Sequence, residues 1–383
     1  MILIKNGKIY TMEGEVLENY DLLIRHGKIE NIGKNIPEQV GFEVIDASGK
    51  LIFPGFIDAH CHLGMWEDSI GFEGADGNEA SDPITPHMRS IDAINPMDIN
   101  FKEALEGGVT AVATGPGSAN IVSGTFSLIK TWGNRIDDMI VKDPIAMKIA
   151  FGENPKRVYG EKSKTPMTRM AIAAELRSTL YKAKEYLEKK KAGKEYTFDL
   201  KMEAFEPVFD RVIPLKAHAH RADDLFTAIR VAKEFGLKIT LDHVTEGHLI
   251  VDELKGENLD LIVGPSFGER SKFELKNKTF ETPGILSKAG LNVAIMTDHP
   301  VIPIQHLNLC AALSYKSGMD EMEALKAITI NPAKILGVDD KMGSIKVGKD
   351  ADISIWDKHP FDLDSNVCQT IVNGIIVYRK SEI

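Results

Sequence analysis

A chain of 383 residues with 43% hydrophobic and 27% charged residues has the balance of a soluble globular protein, long enough for one large domain and a small one. Lys and Arg number 46 against 56 Asp and Glu, a formal net charge of −10, which argues against a nucleic-acid surface or an anionic membrane as partner. Cys61, Cys310 and Cys368 are odd in number and far apart, so no disulfide framework is expected and a reducing cytoplasm is the simple location. No signal-peptide pattern opens the chain, and no apolar run is long enough to span a bilayer.

Residues 1–53 read as short strands joined by tight turns. Asn6-Gly7 lies between apolar segments and signals a hairpin, and His26-Gly27 repeats the design. At the other end, 343–356 reads as strand, Gly turn, strand, and 367–378 as a hairpin turning at Asn373-Gly374. A few strands with one apolar face need a partner sheet. The expectation is therefore a small β domain built from both termini, residues 1–53 and 340–383, with a large domain inserted at 54–339.

Within the insert, strand-like and helix-like segments alternate. The strands fall at 56–62, 109–114, 125–131, 145–151, 213–219, 238–243, 259–264 and 291–297. Helical spacing is plain at 98–106, 167–190, 222–235 and 321–330. Eight parallel strands with helical crossovers make a (β/α)8 barrel, whose active site lies where the strands end; an open doubly wound sheet is the alternative. Residues 63–96, rich in Gly, Asp, Glu and Pro, follow the first strand. They would cover the barrel mouth, either as a solvated lid or with substrate contacts from His87 or Arg89.

The strand ends carry the chemistry. His60 and His62, two apart on one strand, face the same way and can grip one divalent ion. The fifth strand ends in His218-Ala219-His220, the sixth in Asp242-His243 and the eighth in Asp298-His299. On the eighth, Leu291, Val293 and Ile295 suit the helix layer, which turns Ala294, Met296 and Asp298 inward. On the fourth, the same alternation puts Lys148 inside. A buried lysine amine needs pairing or neutralisation; reaction with CO2 would make it a carbamate able to bridge two cations. Glu153, just beyond the strand, could bridge instead, or Lys148 could form a salt bridge across the barrel.

Taken together, these stretches resemble the amidohydrolase superfamily, metal-dependent hydrolases on a (β/α)8 barrel with a composite β-sandwich, and within it the imidazolonepropionase-like group. The matching motifs are Pro54-Gly55-Phe56-Ile57-Asp58-Ala59-His60-Cys61-His62, Gly107-Gly108-Val109-Thr110, Asn331-Pro332-Ala333-Lys334-Ile335-Leu336-Gly337 and the stretch 343–352. The resemblance implies that His60 and His62 hold the more buried metal, that His218 and His243 are the fifth- and sixth-strand ligands, and that Asp298 binds metal and shuttles the proton. It implies that Lys148 is carboxylated if two metals bind, with Glu153 as the rival, and that His220 is a substrate contact or alternative ligand. Imidazole with hard oxygen ligands suits zinc, with manganese, iron or nickel also open. Such an ion lowers the pKa of a water to roughly 7. The implied activity is cleavage of a C–N bond in an amide, cyclic amide or peptide-like small substrate. A deaminase of a heterocycle is the competitor, disfavoured because Ala219-His220-Arg221 offers no acid after His218; a scaffold that lost catalysis is the third reading. Arg221 or Arg270 could hold a substrate carboxylate, Gln305 has no legible partner, and a symmetric homo-oligomer is the default expectation.

Overall fold

Turn chemistry shapes the terminal sheet. Strands β1 (Ile2–Tyr10), β2 (Val16–Arg25), β3 (Lys28–Gly33), β4 (Glu43–Asp46) and β5 (Leu51–Pro54) form its N-terminal part in the computed structural model, which describes residues 1–381. His26 and Gly27, at φ 50° and 75°, turn β2 into β3, the two left-handed residues a tight hairpin requires. Asn6-Gly7, by contrast, turns nothing. β1 runs straight through it with a register shift against β2. Gly7 is glycine for space: a Cβ there would lie 2.2 Å from the Ile52 side chain.

Eight further strands make the second sheet: β6 (Phe56–Cys61), β7 (Val109–Thr114), β8 (Val122–Lys130), β9 (Ile140–Ala150), β10 (Leu215–Ala219), β11 (Ile239–His243), β12 (Asp260–Val263) and β13 (Asn292–Ile295). They neighbour one another in chain order. The ring is nearly closed by two backbone bonds: Asp298 N donates to His60 O (3.2 Å) and His62 N to His299 O (2.9 Å). All eight expected strands are present, but they are not all parallel. β8 pairs antiparallel with both β7 and β9. Residues 115–121 are too few for a helical crossover, so the chain folds straight back on itself.

The inward alternation holds where it matters. Phe126, Ala146, Ala294 and Met296 pack together inside, while Met147, Ile149, Phe151 and Val293 pack in a separate outer cluster that includes Leu176, Leu225 and Ile229 of the surrounding helices. Those helices begin and end on recognisable caps. Asp98 accepts from Asn100 N at the start of the helix Ile99–Glu106, and Gly236, at φ 67°, ends the helix Ala222–Phe235. The connection 62–98 lies along β8, with bridges Ile84 to Val122 and Arg89 to Thr125.

The chain then returns to the first sheet as β14 (Ile353–Trp356), β15 (Val367–Val372) and β16 (Ile375–Arg379), where β14 pairs antiparallel with β5. Both termini thus share one eight-stranded sheet. Asn373 and Gly374 make the expected turn, at φ 49° and 72°. The first of the two strands expected within 343–356 does not form. That segment crosses the sheet edge instead, touching it through Ile345 N to Thr11 O and Gly348 N to Ile29 O. Among the described residues, no helix is long and apolar enough to cross a membrane.

Candidate metal centre

His60, in β6, and His62, just past its end, share one face, and Asp298 closes on them from beyond β13. Its Oδ1 lies 3.3 Å from His60 Nε2 and 3.2 Å from His62 Nε2. The far nitrogens fix the tautomers. His62 Nδ1 donates to the Gly115 carbonyl (2.7 Å), and His60 Nδ1 sits 2.9 Å from Asp242 Oδ2, an ion-pair contact short of an aligned hydrogen bond. With the proton on Nδ1, each Nε2 turns a lone pair toward a carboxylate oxygen. Lys148 Nζ reaches His60 Nε2, but His62 Nε2 and Asp298 Oδ1 stand 3.2 Å apart with no proton between them, which is repulsive unless a cation lies among them, so the donor set fits a bound metal.

A second group stands across the cavity. His218, His220 and His243 bring ring nitrogens within 4.8 Å of one another, and His60 and His243 nitrogens lie within the same distance of each other and of an Asp298 carboxylate oxygen. His243 Nδ1 donates to Gly264 O (2.9 Å), which leaves its buried Nε2 without a partner. His218 Nε2 accepts from Asn154 Nδ2 at 3.5 Å. His220 Nδ1 meets Thr245 Oγ1 at 2.7 Å, and its buried Nε2 is likewise unpartnered. Glu274, in the loop after β12, comes within 3.6 Å of His220 and 3.9 Å of His218. His243 and Asp298 hold left-handed backbone, at φ 73° and 54°, a strained geometry for non-glycine residues that persists where packing over-determines it.

Two lysines lie beneath. Lys148, fully buried as expected, reaches His60 Nε2 at 3.2 Å and Asp242 Oδ2 only at 3.8 Å. Lys216 takes Asp242 Oδ1 and the Ala59 carbonyl, both at 3.1 Å. Burial pushes Lys148 down to about 8, against the pull of Asp242. Burial also holds His60 down at about 4 and His243 at about 3. Burial pushes Asp298 up, yet His243, His60 and His62 together keep it well below the usual carboxylate range. Among the described residues, Asp58 makes no salt bridge. It accepts from Thr297 N (2.9 Å), Thr297 Oγ1 and His60 N (3.0 Å), tying β6 to the end of β13, and burial raises it to about 6.

The structure therefore brings together His60, His62, Lys148, His218, His220, His243 and Asp298. It does not bring the others. Glu153 begins the helix Glu153–Gly160, and its carboxylate turns to the backbone N of Glu274 at 3.4 Å. Arg221 is held by Asp223 at 2.9 and 2.8 Å, Arg270 by the carbonyls of Lys276 and Lys278, and Gln305 by Glu103. His87 and Arg89 line a separate cavity of about 320 Å3, because the 62–98 connection is laid along β8. The cavity over the histidines, about 540 Å3, is walled instead by Trp66, Asn154, Phe267 and Lys272. The sequence did not single out Asp242, Lys216, Glu274, Lys272 or Trp66. Alternation on the fifth and sixth strands was a usable signal for the first two. Nothing local marked the other three.

The model of the amidohydrolase family matches residues 209–377. A solved amidohydrolase from Thermotoga maritima MSB8 is 46% identical, with 99% of this chain and 100% of that one covered and a TM-score of 0.96. Amidohydrolase tasK of Hapsidospora irregularis is 31% identical over 92% of this chain, which spans only 39% of that protein. Imidazolonepropionase of Bacillus cereus (strain ATCC 10987 / NRS 248) is 24% identical, with 100% and 97% covered. With 99% of its length shared with a solved amidohydrolase of 46% identity, the chain belongs to the amidohydrolase family.

Proposed function

We propose that the chain is a metal-dependent hydrolase that cleaves the C–N bond of an amide, cyclic amide or peptide-like small molecule. Its frame is read as a (β/α)8-type barrel at 54–339 with one reversed strand, inserted into a composite β-sandwich of 1–53 and 340–383. One observation carries the reading: the proton-free nitrogens of His60 and His62 converge on Asp298 at 3.3 and 3.2 Å in a cavity large enough for a small molecule.

His60, His62, His218, His243 and Asp298 would hold one or two divalent ions, zinc foremost, with Lys148 as a bridging carbamate if there are two. A depressed Lys148 amine is available for that modification near neutrality. A divalent ion in such a site acidifies a water and polarises a carbonyl. Asp298, whose carboxyl lies well below the usual carboxylate range, would take a proton from the attacking water and return it to the leaving nitrogen. Trp66 packs edge-on to His62, ring centroids 4.9 Å apart, and offers an apolar wall to the part of the substrate that does not react.

The test is a panel of N-acyl amino acids, dipeptides and cyclic amides offered to protein loaded with zinc or manganese, with metal content measured alongside. Turnover is expected, and Asp298→Asn should lower kcat by roughly 100- to 10,000-fold. Release of free ammonia would move the reading to a deaminase. A wild-type protein that retains no metal after loading would overturn it.

A further inference from the structure

His220 and Glu274 are the part of the cavity that the proposed reaction leaves without a task. Glu274 is 1% exposed. Its Oε2 is pinned by the backbone N of Glu153 at 3.0 Å, which aims Oε1 at His220 Nε2 (3.6 Å) and His218 Nε2 (3.9 Å). Lys272 Nζ touches the same oxygen at 2.7 Å, as an ion-pair contact rather than an aligned hydrogen bond, and also donates to Asn154 (3.1 Å). A nitrogen and an oxygen 3.6 Å apart are too distant for a hydrogen bond. His220 Nε2 is buried without a hydrogen-bond partner, a costly arrangement in a protein interior, while the buried Glu274 Oε1 has only the Lys272 ion-pair contact.

From this arrangement we propose that His218, His220, His243 and Glu274 form one three-nitrogen, one-oxygen cation site, so that His220 and Glu274 are metal ligands in addition to the two imidazoles the family resemblance assigns. The three imidazoles bring ligand nitrogens within 4.8 Å of one another, and Glu274 Oε1 stands 3.6 and 3.9 Å from two of them, against roughly 3.4 Å between donors bonded at about 2.1 Å around a tetrahedral ion. The composition fits as well, since three imidazoles and a carboxylate suit zinc or cobalt. Lys272, with a side chain 22% exposed, sits on the solvent side of the carboxylate and keeps it ionised in the absence of a cation. The inference rests on the metal-dependent reading but not on any substrate. It also leaves Glu153 without a metal to bind, because its backbone N holds Glu274 and its carboxylate turns to the Glu274 N.

The experiment loads the full-length protein with cobalt. Bound metal is counted by plasma emission, affinity is read by chelator competition, and the visible ligand-field spectrum is recorded. Glu274→Gln and His220→Asn, both close in shape to the native residues, should each weaken one cobalt ion by roughly 100-fold or more and change the spectrum. His62→Asn should weaken a different ion and leave that spectral signature in place. Lys272→Met should retain cobalt, since the amine competes with it. Wild-type stoichiometry, affinity and spectrum in both Glu274→Gln and His220→Asn would overturn the site while leaving the hydrolase reading intact. No cobalt bound by the wild type would overturn both.

Discussion

Gly152 shows at the scale of one residue how the cavity wall is held. Its φ is 85°, and a Cβ would stand 2.7 Å from Glu274 Oε2 and 3.0 Å from Asp224 Oδ2. The position therefore needs glycine twice over, once for the backbone and once for the carboxylate that shares its space. Gly152→Ala should destabilise the fold by about 1–3 kcal/mol and loosen Glu274 from the Glu153 amide, visible as a lower thermal midpoint and weaker metal retention. An unchanged midpoint would show that the segment shifts freely. In the sequence Gly152 is one glycine before a helix. Its reason lies in a loop more than a hundred positions on, which no local pattern reports. His60, His62, His243 and Asp298 were legible for the opposite reason: each lies at or just past the end of a strand, and a period of two suggests which face it takes.

At the scale of the strand, β10 and β11 lie in register with Lys216 beside Thr240 and His218 beside Asp242. This places the Lys216 amine against the Asp242 carboxylate beneath the histidines, with neither residue more than 1% exposed. Asp242 spends its other oxygen on His60, so one carboxylate answers two strands. Lys216→Met should cost about 3–5 kcal/mol by stranding that charge. Adding Asp242→Leu should recover part of the loss, although it frees His60 to turn. Urea unfolding of the two single variants and the double would measure the coupling, and strict additivity would mean that the pair does not interact. Direction was the strand property the sequence hid. Alternation is identical in parallel and antiparallel ladders, so β8 looked like one more parallel strand. Only the brevity of 115–121 bears on its reversal. The Asn-Gly pair in β1 misled in a similar way: its left-handed Asn6, at φ 61°, sits at a register shift against β2 rather than in a turn.

For the molecule as a whole, the cavity gathers buried imidazoles that fold neutral, and this sets how the metal-free protein responds to acid. Burial holds His60 and His299 at about 4 and His243 at about 3, and His218 and His220 well below their ordinary value. A group whose folded pKa is depressed takes up its proton in the unfolded chain first. Stability contributed by these histidines is therefore intact above the unfolded value near 6.5 and falls as pH drops toward 4. Asp58 works the other way: raised to about 6, it favours the fold below the unfolded value near 3.8 and loses that contribution as pH climbs through 6. One carboxylate does not offset five imidazoles. At pH 5 each fully neutral imidazole costs about 2 kcal/mol, and a few of them approach the whole margin of a typical domain. Chelator-treated protein should thus lose stability steeply between pH 6.5 and 4.5 in urea unfolding, while metal-loaded protein holds to lower pH because the ions compete with protons for the same nitrogens. If the stripped protein unfolds at the same urea concentration at pH 7 and pH 5, these histidines are not held neutral, and the lone pairs that make the cavity a metal centre are not there.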